Sequence, residues 1–521
     1  MMRLHEKIIP AARITGAVVA IWAWVLISAY AVNLVRAPFQ LEYREGVMLQ
    51  TTGALLQGHN PLVAESQPQY FKMYGIVYHW VVVPLAALFG NTLWLHRLVS
   101  ILAYLLAAVY VGWVLVRRKT PWGMALAGAA LIFANQLFYT NPLSRPDGLG
   151  FLFYVLAAFL PWTGGFSRKS LVLSAILGVL AFYTKSYFMA AVGFVALYLL
   201  LTRRWRAFWE YSLFFGILMV VSSVLINWIY PYYFYDTLLI QFLVGSREID
   251  FFVYQSILYV TIYAGMFLIL AGLASAWLAR RWRGNSTSGR HWIPDFPALG
   301  LLLSILIIGL SLGWHRGTLM TYYFHLITPF LVVVFFEQVR STPRLTILAY
   351  LALVVSMYAN LIVLGVNLTD VQGDITNLGN IPDLGHTDWD LIRQRIAASQ
   401  KILDSPAISA EMLAQGREVV NNGHNELYGL GLDANVNFFL FPPPDEVNER
   451  MQATLDQVRS SVRSQSYDWI VLARDEWGAL APAPFLSMAD LHAYYQKYDE
   501  VVVEMPQGRQ TWTLEFWQPK P

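Results

Sequence analysis

Apolar stretches that reach or approach the length of a bilayer recur through the first 366 residues, at 14–36, 97–116, 121–141, 148–162, 170–184, 186–202, 207–230, 252–279, 297–314, 320–336 and 345–366. A helix needs about 20 apolar residues to cross a hydrocarbon core, so the pattern predicts about eleven transmembrane helices. A further run at 74–90 opens with Tyr74, Tyr78, His79 and Trp80 and contains Pro84. Those residues suit the headgroup zone better than the bilayer centre, and the run reads as a helix lying along the interface. Beyond 366 the pattern changes. Asp445–Ser464 has helical spacing, Tyr467–Leu472 reads as a buried strand, and residues 501–505 with 511–516 form a hairpin around Pro506 to Gly508. The predicted fold class is therefore an α-helical polytopic membrane protein with interfacial helices, residues 1–366, followed by a soluble α/β domain, residues 367–521.

Composition sharpens this division. Of the 521 residues 57% are apolar and 13% charged, against about 25% charged in soluble chains, which excludes a purely soluble protein. Residues 367–521 carry 22 acids and 11 bases, leaving 11 acids and 25 bases in the first 366. The absence of cysteine excludes disulfides, thiolate metal sites and Cys nucleophiles. Basic clusters (Arg117-Arg118-Lys119, Arg168-Lys169, Arg203-Arg204, Arg280-Arg281, and Arg340 with Arg344) fall at every second loop, and Arg3, Lys7 and Arg13 precede the first span. Because Lys and Arg mark the cytoplasmic side, the N-terminus is predicted inside and the soluble domain outside a plasma (inner) membrane. The parity holds only if 74–90 does not cross. The first run, followed by Ala29-Tyr30-Ala31, also resembles a signal peptide, but its length favours an uncleaved anchor.

With that topology, Arg36, Arg44, Lys72, Arg97, Arg145, Lys185, Arg247 and Arg316 lie on the outer side, unexplained by orientation, together with Glu42, Glu45, Asp147 and Asp236. Ionisable groups at span ends are costly unless paired or solvated, and so mark candidate function. Glu42 and Glu45 are three apart and project from one helix face. Two such carboxylates raise one another's pKa and poise one as a general base, unless they are only a favourable negative first turn. Arg145-Pro146-Asp147 precedes a span, where Asp147 is either a helix cap or a site residue, and Lys185 sits in a very short turn. No dinucleotide fingerprint, phosphate loop, metalloprotease motif or repeat is present, and nothing points to nucleic acid.

The order of these features (a first-loop acid cluster, Gly58-His-Asn60-Pro61, Tyr74-Gly75-Ile-Val-Tyr78, His96-Arg97-Leu98, Arg145-Pro146-Asp147 and Thr184-Lys185) resembles the polyprenyl-phosphate-dependent glycosyltransferases of the GT-C class. The similarity is to bacterial relatives of protein O-mannosyltransferases and of aminoarabinose transferase, and is clearest over residues 40–190. It implies a lipid-phosphate sugar as donor, a glycan, lipid or protein as acceptor, and no metal or other cofactor. It also implies an inverting displacement in which a first-loop carboxylate deprotonates the acceptor. Where relatives carry Asp-Glu this chain has Arg44-Glu45, and Glu45 is preferred as base, with Glu42 and Asp147 assisting. Lys72, Arg97, Arg145, Lys185 and Arg316 become candidates for holding the donor phosphate, and Tyr74, Tyr78, His315 and Tyr322 for contacting substrate. The alternative is a lipid-linked sugar or polysaccharide flippase, which should show internal repeats and mid-membrane charges rather than charges at span ends.

Overall fold

The computed structural model describes residues 2–42, 44–72, 74–139, 144–239, 249–282, 295–310, 321–341, 345–363, 388–421, 423, 445–474, 480–481, 485–505 and 510–521. Among the described residues the apolar runs fold as helices, of which three are long and apolar enough to cross a membrane unaided: Ile14–Arg36 within α1 (Met2–Arg36), α4 (Leu93–Arg117) and α9 (Trp205–Ile229). Between them lie α2 (Glu45–Leu56), α3 (Val77–Phe89), α5 (Trp122–Tyr139), α6 (Asp147–Thr163), α7 (Arg168–Thr184) and α8 (Ala190–Leu201). The run 252–279, read as one span, is instead two helices, α10 (Ile249–Ile262) and α11 (Ala264–Trp282), bent by 79° at Tyr263. α12 (Phe296–Ile308), α13 (Thr328–Ser341) and α14 (Thr346–Val363) complete the bundle.

What holds the helices together is close packing of small residues. Ala20, Ala23, Ala107, Ala125, Ala130 and Ala157 are buried in one continuous core with Tyr154, Phe159 and Phe330. Apolar solvent gives little reason for apolar helices to associate, so backbone proximity through alanine faces does that work. The opposite surfaces stay uncovered: Leu213, Val220, Val224 and Trp228 of α9 are all exposed.

Helix α3 has 13 residues, about 20 Å at 1.5 Å per residue and well short of a ~30 Å hydrocarbon core. Its start departs from the interfacial reading, however. Tyr74, Tyr78 and His79 are enclosed by protein, and of that aromatic group only Trp80 is exposed. His79 meets Thr52 of α2, and Tyr78 meets His96 of α4. Tyr74 and Tyr78 share a buried cluster with Ile226 near the end of α9, where the Asn60 amide donates to the Ile229 carbonyl.

The C-terminal residues form a five-stranded sheet in the order β1 (Ile402–Leu403), β2 (Trp469–Arg474), β5 (Gln510–Pro519), β4 (Tyr495–Met505), with β3 (Leu480–Ala481) on β2. The hairpin read from the sequence is present, pairing Val501 with Leu514 and Val503 with Trp512. Its turn at 506–508 lies outside the described residues, as does the division near 366. α17 (Asp445–Arg463) buries Val447, Met451, Leu455, Val458 and Val462, one helical stripe, with the strand residues Ile470 and Leu472 in the same core. The remaining helices are α15 (Trp389–Ala398), α16 (Ser409–Ala414) and α18 (Met488–Tyr494).

This sheet domain is seated on the segment leaving α1. Gln40 donates to the Pro406 carbonyl at 2.7 Å and accepts from the Ala410 amide at 2.9 Å. Phe39 stacks on Trp389, and Arg393 donates to the Pro38 carbonyl. At Gly46 a Cβ would lie 2.3 Å from the Ser409 side chain. The first turn of α2 therefore touches α16 directly.

Candidate active site

The first-loop acids, three residues apart, meet different partners. Glu45 opens α2 and is fully enclosed. Arg97 of α4 grips it with two parallel bonds, Nε to Oε1 at 2.7 Å and Nη2 to Oε2 at 2.6 Å. Leu41 N–H donates to Oε2, and the Ser144 amide and hydroxyl both donate to Oε1. Burial by itself would raise the Glu45 pKa, but the Arg97 charge and these hydrogen bonds together hold it below the usual carboxylate value. Arg97 is equally committed. Its remaining N–H groups donate to the carbonyls of Leu34, Ala37 and Phe39, so all five are used. The pair ties the end of α1, the start of α2 and the start of α4 into one joint. Arg97, expected as a phosphate ligand, has no donor left for one.

Glu42 is partly accessible. Its Oε2 accepts the Arg44 amide, while Oε1 lies 3.3 Å from Arg145 Nη2 and 3.9 Å from Arg44 Nε. From there a polar seam runs across three further elements. Arg145 donates to the Tyr74 hydroxyl at 2.9 Å. Lys185 Nζ is 5.2 Å from the centre of the same ring and 2.7 Å from Asp147 Oδ1. Tyr187 also donates to Asp147 Oδ1 and meets His325 Nε2, each at 3.3 Å. Asp147 Oδ2 is buried and has no hydrogen-bond partner among the described residues.

Local sequence explains the convergence. Pro146 sits at the N-cap of α6 with φ −70°, the angle its ring imposes, and starts the helix at Asp147. Asp147 is thus in the first turn and ion-paired to Lys185, with no capping hydrogen bond from Pro146. Gly75 approaches α7 so closely that a Cβ would stand 2.0 Å from the Tyr183 carbonyl, and its N–H bonds the Thr184 carbonyl. Only glycine permits that approach. It sets Tyr74 beside Lys185, so the Tyr-Gly and Thr-Lys motifs are two sides of one contact.

Other predicted site residues lie elsewhere. Tyr78 is enclosed, its hydroxyl donating to the His96 carbonyl at 3.1 Å, and it faces no open space. Lys72 is fully enclosed in a separate cluster, where burial pushes its pKa well below the ordinary value although Asp236 opposes the shift. Tyr322 is in the turn Thr321–Leu326, which also carries His325. Arg247, His315 and Arg316 lie outside the described residues. Ser144 and Tyr187 were not singled out from the sequence. Hydroxyls near charged motifs are too common to stand out there, although Tyr187 follows Lys185 by only two positions.

Comparisons with known proteins bear on the whole arrangement. Residues 73–228 match the family described as dolichyl-phosphate-mannose-protein mannosyltransferase, a segment that holds Arg97, Arg145, Asp147 and Lys185 and begins after Glu42 and Glu45. No curated protein matches the sequence. Among solved structures, ArnT from Cupriavidus metallidurans bound to undecaprenyl phosphate superposes over 95% of this chain and 97% of its own, with a TM-score of 0.52 at 15% identity. The same protein in the apo state gives 0.47 at 13% identity over the same shares. The chain shares its fold with the ArnT structure bound to undecaprenyl phosphate. Across this fold the seam gathers an accessible carboxylate, two cations and a second carboxylate at the end of the bundle that carries the sheet domain.

Proposed function

We propose that the protein is an integral membrane glycosyltransferase that moves a sugar from a polyprenyl-phosphate carrier to an acceptor hydroxyl. The observation that carries this reading is the seam itself: Glu42, accessible and 3.3 Å from Arg145, with Lys185 and Asp147 alongside. Direct displacement at a lipid-phosphate sugar needs one base on the acceptor and cations on the leaving group. Glu42 takes the acceptor proton as its oxygen attacks the anomeric carbon. The bond from that carbon to the phosphate oxygen breaks with inversion, and the phosphate leaves with both electrons. Arg145, able to grip two oxygens, and Lys185 take up the developing charge. Asp147 holds Lys185 through one oxygen and offers the other to a substrate hydroxyl.

The resemblance pointed to Glu45 as base; we assign that role to Glu42 instead. The two Glu45 oxygens already accept five hydrogen bonds, so Glu45 is read as a positioning residue, aligning α2 and through it Glu42. The match to a structure described as bound to undecaprenyl phosphate supports a polyprenyl-phosphate donor here. Incubating the purified protein with radiolabelled lipid-phosphate sugars in liposomes tests the reading. Label should move from lipid to acceptor; label that crosses the bilayer still attached to its lipid, with none transferred, would establish a flippase instead.

The same reading places the seam and the sheet domain on the extracytoplasmic side of a plasma membrane, with eleven crossings and α3 at the interface. A reporter fused after residue 366 should then report outside, and cytoplasmic activity of that fusion would overturn the topology.

A further inference from the structure

Among the described residues a cavity of about 1030 Å³ lies beside α2 and the start of α4 and is bordered by the sheet domain. A second, about 340 Å³, continues into that domain, and the two share Gln69, Arg417, Glu418 and Val419. Where the two lobes meet, the Gln69 amide donates to Glu418 at 2.9 Å. Small-molecule pockets measure about 300–1,000 Å³, which puts each lobe in that range and the pair in the range of an extended ligand.

The lining has a consistent chemistry. Gln50, Gln57 and Asn91 line the first lobe and Gln400 and Gln457 the second; the Asn91 amide is engaged with the Leu49 carbonyl and His96, and a glutamine amide carries donors and an acceptor in one plane. Arg417 and Glu418 add charged partners where the lobes meet. Trp94 and Tyr70 in the first lobe and Tyr467 in the second supply rings with an apolar face and a polar edge. A sugar ring has the complementary surface, hydroxyls around its rim and C–H groups on its faces. A lipid tail would need a continuous apolar channel, which these polar side chains interrupt, and an extended peptide would need a strand edge to pair with, whereas the second lobe meets Ile402 of the two-residue edge strand β1.

We infer that this two-lobed cleft binds a carbohydrate chain, the glycan acceptor of the reaction proposed above, on which this inference rests. Position supports the assignment. Leu49, Gln50 and Gly53 line the cleft from α2, and Leu49 is about 6 Å along that helix from Glu45 at 1.5 Å per residue. The cleft therefore runs alongside the helix that Glu45 opens.

The test uses the purified full-length protein in detergent, without donor, and fluorescein-labelled tetra- to hexasaccharides, one neutral series and one bearing uronic acids, read by fluorescence anisotropy. At least one series should bind saturably. Gly53→Phe should weaken that binding at least tenfold by filling the first lobe, where a Cβ at 53 meets only the Asn91 amide at 3.4 Å, and Trp94→Ala at least tenfold by removing a stacking face. Melting temperatures identify a variant that fails to fold, in which case the other decides. No saturable binding of either series by the wild type, or unchanged binding by a folded variant, overturns the cleft. Sugar transfer without glycan binding would sink this inference alone, and glycan binding without transfer would sink the enzymatic reading alone.

Discussion

Glu42→Gln should remove sugar transfer from a protein that otherwise remains intact. General-base groups contribute about 10²–10⁴-fold, and turnover at saturating donor and acceptor should fall by that order. The amide keeps the shape of the carboxylate and can still accept the Arg44 N–H, so melting temperature and lipid-phosphate binding should change little. Loss of the charge opposite Arg145 should if anything favour an anionic ligand there. The check is a single-turnover assay with labelled donor alongside thermal melting in detergent. A variant that keeps about a third of wild-type turnover, far above the range for a lost base, would place the base elsewhere.

Arg97→Ala should act in the opposite way, on the fold before the chemistry. Removing one member of a buried ion pair leaves the other charged and unpaired, at a cost of about 3–5 kcal/mol. Here the loss also orphans three carbonyls, those of Leu34, Ala37 and Phe39. The joint between α1, α2 and α4 goes with it, and so does the seat of the sheet domain on Pro38 and Gln40. A large drop in melting temperature and poor recovery from membranes are the expected results. Arg97→Lys should rescue little, because an ammonium has three donors and no planar fork to match the carboxylate. Near-normal melting of Arg97→Ala would remove the structural role assigned to the pair.

These two expectations separate what the sequence made legible from what it did not. Residue type was readable: the acids and cations named from spacing and charge include Glu42, Arg145, Asp147 and Lys185, which the fold brings together. Partner choice was not readable. Arg97 and Arg145 look alike in a sequence, each an arginine near a span end, yet one spends five N–H groups inside the protein and the other faces an accessible carboxylate. That difference is set by the path of residues 34–41 around Arg97, which no local pattern encodes. The motifs carry structural meaning of their own, since Asn60 secures the end of α9 and Gly75 lets Tyr74 reach Lys185. Hydropathy found the helices but overstated their continuity, because an apolar run such as 252–279 looks the same whether straight or bent at Tyr263. In the C-terminal residues, alternation and the i, i+4 stripe of α17 were enough to place the long hairpin and the covering helix, whereas two-residue strands such as β1 and β3 are too short to leave a period.

The proposed single displacement at the anomeric carbon, with Glu42 as base and no carboxylate acting as nucleophile, fixes the stereochemistry of the product. NMR on glycan recovered from a reaction with a lipid-phosphate sugar of known configuration should show an inverted anomeric centre. A product that keeps the donor configuration would require a covalent sugar–enzyme intermediate and would rule out the single displacement.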